Sequence, residues 1–98
     1  MPFKHRYALE RHFIRHELEF GVGTAEEYEA LADAFMLDAR RAGVLECNRA
    51  NRDLVRFDPS TKEYGVLAKA GFILTYMIVT PLASSRTTAL QYFQSNCQ

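Results

Sequence analysis

Phe72-Ile73-Leu74-Thr75-Tyr76-Met77-Ile78-Val79-Thr80-Pro81 (FILTYMIVTP) is the stretch that decides the fold. Side chains alternate along a strand, which puts Phe72, Leu74, Tyr76 and Ile78 on one face and Ile73, Thr75, Met77 and Val79 on the other. Both faces are apolar apart from Thr75, the pattern of a strand covered on both sides, and a central position in a sheet is expected. Pro81 ends it, since proline has no N–H to give to a ladder.

The neighbouring segments supply its partners. Upstream, YGVLA (Tyr64–Ala68) and KAG (Lys69–Gly71) read as a strand and a tight turn, and DPSTKE (Asp58–Glu63) as a turn built on Asp, Pro and Ser. VLECNRA (Val44–Ala50) and DLVRFD (Asp53–Asp58) are two further short β-prone runs. Downstream, LASSRTT (Leu82–Thr88) is a polar loop and ALQYFQSN (Ala89–Asn96) a last short helix or strand.

Two helices precede the strands. Thr24 can cap the second, with Glu27 three residues on completing a capping box; Tyr28, Leu31, Ala32, Phe35, Met36 and Ala39 form its buried stripe. Gly43, after Arg40 and Arg41, stands where a C-terminal cap belongs. The first helix is expected from about Lys4 to Glu19. Phe3, Tyr7, Ile14 and Leu18 share one stripe, read as the core face, while His5, His12 and His16 share nearly the opposite side with Leu9 and Phe13 along its edge. The fold class implied is α+β: one domain over residues 1–98, with N-terminal helices packed on an antiparallel sheet of about four strands.

Composition narrows the function classes. Twelve Lys plus Arg balance twelve Asp plus Glu, which argues against gripping long nucleic acids by charge alone. The balance hides a polarity: residues 1–16 hold Lys4, Arg6, Arg11 and Arg15 against Glu10, whereas residues 21–43 are acidic. Such a patch can hold a few phosphates. Cys47 and Cys97 lie far apart with no second pair, so both are read as ordinary thiols. No secretory signal is read, and no apolar run approaches the roughly 20 residues of a membrane span; no membrane partner is expected.

His12 and His16, four residues apart, raise three chemistries. A metal site is disfavoured, because HFIRH lacks the glutamate of H-E-x-x-H, Arg15 would face the dication, and His5 as third ligand would stretch the set over about 16 Å. No metal or other cofactor is therefore expected. Metal-free phosphodiester chemistry on RNA fits better: an imidazole takes the 2′-OH proton or returns one to the 5′-oxygen, and cations and a hydroxyl stabilise the developing charge. Arg11, Arg15 and Arg86 supply the cations, and Thr75 the hydroxyl. The third possibility is a binding module whose histidines are solvated.

The RHELEFGVGT segment (Arg15–Thr24), a following helix, VRFDPSTKEYGVLAKAGFILTYMIVTP (Val55–Pro81) and a terminal ALQYF resemble the colicin D-like branch of the ribonuclease group that includes barnase, EndoU and RelE. The shared features are a basic residue and histidine before an -FG- break (Arg15, His16, Phe20, Gly21), an F-D-P-x-T motif (Phe57–Thr61) and a Ser or Thr in the second following strand (Thr75). The resemblance implies a metal-independent endoribonuclease toxin domain that cleaves RNA, with tRNA the expected substrate, to a 2′,3′-cyclic phosphate. His16 would be the catalytic acid or base, Arg15 and Thr75 would stabilise the transition state, and His12 would assist. Arg11, Arg86 and Lys4 would hold substrate. It further implies an immunity or antitoxin partner, action in the cytoplasm, and delivery as the C-terminal domain of a secreted toxin. The alternative is a non-catalytic protein-interaction domain that keeps the same fold.

Overall fold

β3 (Glu63–Leu67) and β4 (Ile73–Ile78) form the hairpin around which the other elements gather. The computed structural model describes residues 3–80 and 88–97. Over these the chain order is α1 (Arg6–Phe20), α2 (Ala25–Met36), β1 (Leu45–Asn48), β2 (Leu54–Phe57), β3, β4 and α3 (Ala89–Ser95). The strands pair antiparallel in the order β1-β2-β3-β4, giving the α+β architecture expected from the sequence. The C-terminal segment is a helix: the Thr88 hydroxyl accepts from Gln91 N while the Gln91 side chain accepts from Thr88 N.

β4 is buried at Ile73 and Tyr76, but Leu74 is 38% exposed and Thr75, Met77 and Ile78 are half-buried; it is an edge strand and not the central, doubly covered strand expected from its composition. Its open edge is closed by other means. Phe3 makes a parallel bridge to Ile73, and the Glu19 carboxylate at the end of α1 accepts from Ile78 N at 2.8 Å. Backbone groups that a fifth strand would have paired are thereby satisfied by a short extended segment and a side chain. Strict alternation also fails once. A register shift between Val66 and Leu67 pairs Val66 with Thr75 but Leu67 with Ile73, and Ile73 joins Tyr76 in the same core cluster.

The sheet separates two apolar cores. On one face Phe3, Leu9, Tyr28, Phe35, Met36, Ile73 and Tyr76 pack beneath α1 and α2. On the other, Val55, Phe57, Tyr64, Val66 and Val79 pack beneath α3 through Ala89 and Phe93. Gly65 permits the close approach of α2: a Cβ there would stand 2.5 Å from Met36 Sδ and 3.3 Å from a Phe35 ring carbon.

α2 starts as expected, with the Thr24 hydroxyl accepting from Glu27 N, but it ends at Met36, well before Gly43. Past that end the chain is held by arginines. Arg41 reaches back to Asp58 at 2.8 Å and Glu63 at 2.6 Å, both buried, while Arg56 from β2 donates to the Phe35 and Asp38 carbonyls at the α2 terminus. Glu63 also accepts from the Tyr76 hydroxyl, and the Tyr28 hydroxyl donates to the Tyr76 carbonyl. Arg41, Asp58, Glu63, Tyr76 and Tyr28 are thus joined in one hydrogen-bonded network, which offsets the cost of burying them.

Two further expectations are overturned. Cys47 and Cys97 are not free thiols but a disulfide, with Cα atoms 5.8 Å apart. The meander places β1 beside β2, and α3 crosses β2, so residues 50 apart in sequence meet. The core face of α1 is also inverted: Tyr7, Ile14 and Leu18 are 65%, 71% and 93% exposed, while Leu9 and His16 are buried and Phe13 and Phe20 pack against the core. Phe3 is buried, but as part of the segment ahead of the helix. Both sides of α1 carry apolar residues, and the side with Leu9 and two phenylalanines meets Tyr28 and Tyr76, with Phe20 stacked 4.5 Å from the Tyr76 ring.

Candidate functional site

Inversion of α1 turns its basic edge into the wall of a groove. The helix starts at His5, whose Nδ1 accepts from Ala8 N at 3.1 Å, and stops at Gly21, whose φ of 64° is left-handed backbone that glycine adopts without strain. At about 100° per residue, Tyr7, Arg11, Arg15, Ala8 and His12 follow one another around the flank between the solvent face and the core. With His5 they line a cavity of about 310 Å³. A second hollow of about 370 Å³, bounded by Arg11, Ile14 and Arg15, continues past the same two arginines.

The charges in the groove are unspent. Arg6 pairs with Glu10 and Glu26, and Arg41 and Arg56 serve the fold, but Arg11 and Arg15 form no ion pair among the described residues. No carboxylate lines either hollow among those residues.

His12 sits at the inner wall. Its ring lies 5.5 Å from Phe3 and 6.2 Å from the His16 ring, and its buried Nδ1 has no hydrogen-bond partner among the described residues. Burial holds the imidazole below its ordinary pKa, and the neighbouring His16, Arg15 and Arg11 push it in the same direction. It is therefore neutral near pH 7 and able to accept a proton.

His16 stands behind it. The ring is 8% exposed and donates from Nδ1 to Glu19 Oε2 at 2.6 Å, and the other oxygen of the same carboxylate holds Ile78 N. His16 thus lies in a chain from His12 through Glu19 to β4, and it does not line the groove.

The remaining candidates are dispersed. Thr75 lies opposite Val66 in the sheet, and Val66 belongs to the core under α3, whereas α1 joins the core of Tyr76. The threonine is half-buried and lines neither hollow. Lys4 is exposed, with Nζ 5.6 Å from the Phe72 ring, also outside the groove. Arg86 falls outside the described residues. The structure therefore brings together Arg11, Arg15 and His12, with His16 adjoining them, and sets Thr75 and Lys4 apart.

Three groups at the site escaped sequence reasoning. The sequence pattern puts Tyr7 in the core, weighs His5 only as a metal ligand, and gives Glu19 no role of its own. The i, i+3 spacing of His16 and Glu19 on a helix was the available signal for their hydrogen bond. Among the described residues, no three His, Cys, Asp or Glu side chains gather as a metal site, and no helix is long and apolar enough to cross a membrane. Compared with models of known protein families and with curated proteins, the sequence finds no match.

Proposed function

We propose that the protein is a metal-independent endoribonuclease of the colicin D-like type, acting on RNA at the α1 groove, with tRNA as the expected substrate. The observation that carries this reading is the groove itself: a neutral imidazole, His12, beside two guanidinium groups, Arg11 and Arg15, that form no ion pair among the described residues. His12 accepts the proton of a 2′-OH, the 2′-oxygen bonds to phosphorus, and the bond to the 5′-oxygen breaks, leaving a 2′,3′-cyclic phosphate. The departing oxygen takes its proton from solvent in the open groove. Arg11 and Arg15 neutralise charge as it grows on the phosphate. In this arrangement His12 precedes His16 as the group that meets substrate. His16, tied to Glu19, positions the His12 ring from behind.

The Cys47–Cys97 bridge fits a chain that passes through an oxidising compartment, as delivery from a secreted toxin to a target cytoplasm requires. An acidic immunity or antitoxin protein suits the Arg11 and Arg15 cations that line the groove. The second reading, a non-catalytic interaction domain, draws on the exposed Tyr7, Ile14 and Leu18 stripe.

Incubation with total tRNA in excess EDTA separates the two. Cyclic-phosphate ends are expected from the wild type and a fall of about 100-fold or more from His12→Ala, the range of a lost general base. A folded wild-type protein that cleaves no RNA at any stoichiometry sinks the enzyme reading.

A further inference from the structure

Tyr7 occupies an unusual position for a large apolar side chain: it is 65% exposed, yet its ring is not isolated. The His5 ring lies 6.2 Å away at an interplanar angle of 27°, and the Arg11 guanidinium carbon lies 5.8 Å from the tyrosine centroid. Both separations fall within the ranges at which ring pairs and cation–ring pairs attract. All three side chains line the same cavity as Arg15 and His12. The fold does not need Tyr7, since the core of α1 lies on the opposite side of the helix.

An aromatic ring that is 65% exposed, next to an imidazole and to guanidinium groups that form no ion pair among the described residues, matches the chemistry of an unstacked nucleobase joined to its phosphate. Bases stack on such rings with little regard to sequence, because every base has a π-face. A volume of about 310 Å³ lies at the lower end of the roughly 300–1,000 Å³ that encloses small ligands. That suits one nucleotide. It does not suit the broad minor-groove face by which double-stranded RNA is recognised.

We infer that Tyr7, flanked by His5 and Arg11, is a stacking platform for one unpaired base, so the groove selects single-stranded RNA over duplex. The inference rests on the ribonuclease reading for the identity of the polymer and adds to it the strandedness and a subsite. Because the ring is already oriented by its neighbours, little side-chain freedom is lost when a base lands on it.

The test uses 2′-fluoro RNA oligonucleotides, which lack the attacking hydroxyl and are not cut, with 2-aminopurine placed at each position in turn. Binding of the single strand and of the same strand annealed to its complement is followed by anisotropy, and stacking by quenching of the 2-aminopurine. The expected results are preference for the single strand and quenching at one position. Tyr7→Ala should weaken binding about tenfold or more and lose the quench, while Tyr7→Phe keeps both. Circular dichroism of the variants confirms that they fold.

Equal affinity for duplex and single strand overturns the inference, as does a Tyr7→Ala variant that binds and quenches like wild type, or no binding by any oligonucleotide. The two readings fail separately. His12-dependent tRNA cleavage with a neutral Tyr7→Ala removes only the platform, whereas quenching that depends on Tyr7 without tRNA cleavage removes only the nuclease.

Discussion

The two faces of the sheet are covered by different means. α1 and α2 cover one with 15 and 12 residues, interlocking Tyr28, Phe35 and Tyr76 over a hydrogen-bonded network. α3 covers the other with seven residues, a length at which a helix is marginal in isolation. It is fastened instead. Cys97 just past its end is bonded to Cys47 of β1, and Arg49 donates to the Asn96 carbonyl at 2.9 Å and to the Tyr64 hydroxyl at 3.2 Å. Both faces commit arginines to the fold, Arg41 and Arg56 on the helical side and Arg49 on the other, but only the thin face adds a covalent tie.

The sharpest way to break this contrast is to reduce the disulfide. Closing a loop of 50 residues removes unfolded-state entropy worth about 4 kcal/mol, so a Cys47→Ser/Cys97→Ser double variant should lose about that much in urea denaturation. A loss below about 1 kcal/mol would mean that the α3 face holds itself.

On the helical face the expected effect is smaller and electrostatic. Arg41→Met leaves the buried Asp58 and Glu63 carboxylates without their cation. Removing one partner of a buried pair is costly, but Arg41 is half exposed and water screens part of the interaction, so the expected loss is about 2 kcal/mol. An unchanged urea midpoint would show that Tyr76 and Thr61 suffice to satisfy Glu63.

The smallest effect concerns pH. The folded pKa of His12 lies below its ordinary 6.5, so on acidification the unfolded chain takes up a proton that the folded chain resists. The stability due to neutral His12 is full above about pH 6.5 and is lost as pH falls through that value toward the lower folded pKa. Between pH 7.5 and pH 5, wild type should lose more stability than His12→Gln. Parallel losses in the two proteins would count against a buried, neutral His12.

How much of this was legible beforehand follows from where the signals are local. The Thr24 cap, most of the apolar stripe of α2 (Tyr28, Ala32, Phe35 and Met36, but not the exposed Leu31 or Ala39), the four strands and their turns all rest on interactions within a few residues, and the sequence pattern determined them. The histidine cluster and the basic edge of α1 were legible for the same reason, as a matter of helical spacing. The orientation of α1 was not, because Tyr7, Ile14 and Leu18 on one side and Leu9, Phe13 and Phe20 on the other compete as core faces; only the shape of the Tyr28 and Tyr76 surface chooses between them. Nor were the contacts around the end of α2, where Arg41 and Arg56 find partners about 20 residues away in sequence.

Local spacing alone thus determined which elements form and which polar residues share an edge. Tertiary structure alone decided which of those residues meet solvent, that β4 lies at an edge closed by Phe3 and Glu19, and that Cys47 meets Cys97. The physical reason is that burial and pairing between distant segments depend on which surfaces fit together, and spacing along the chain carries no record of that fit.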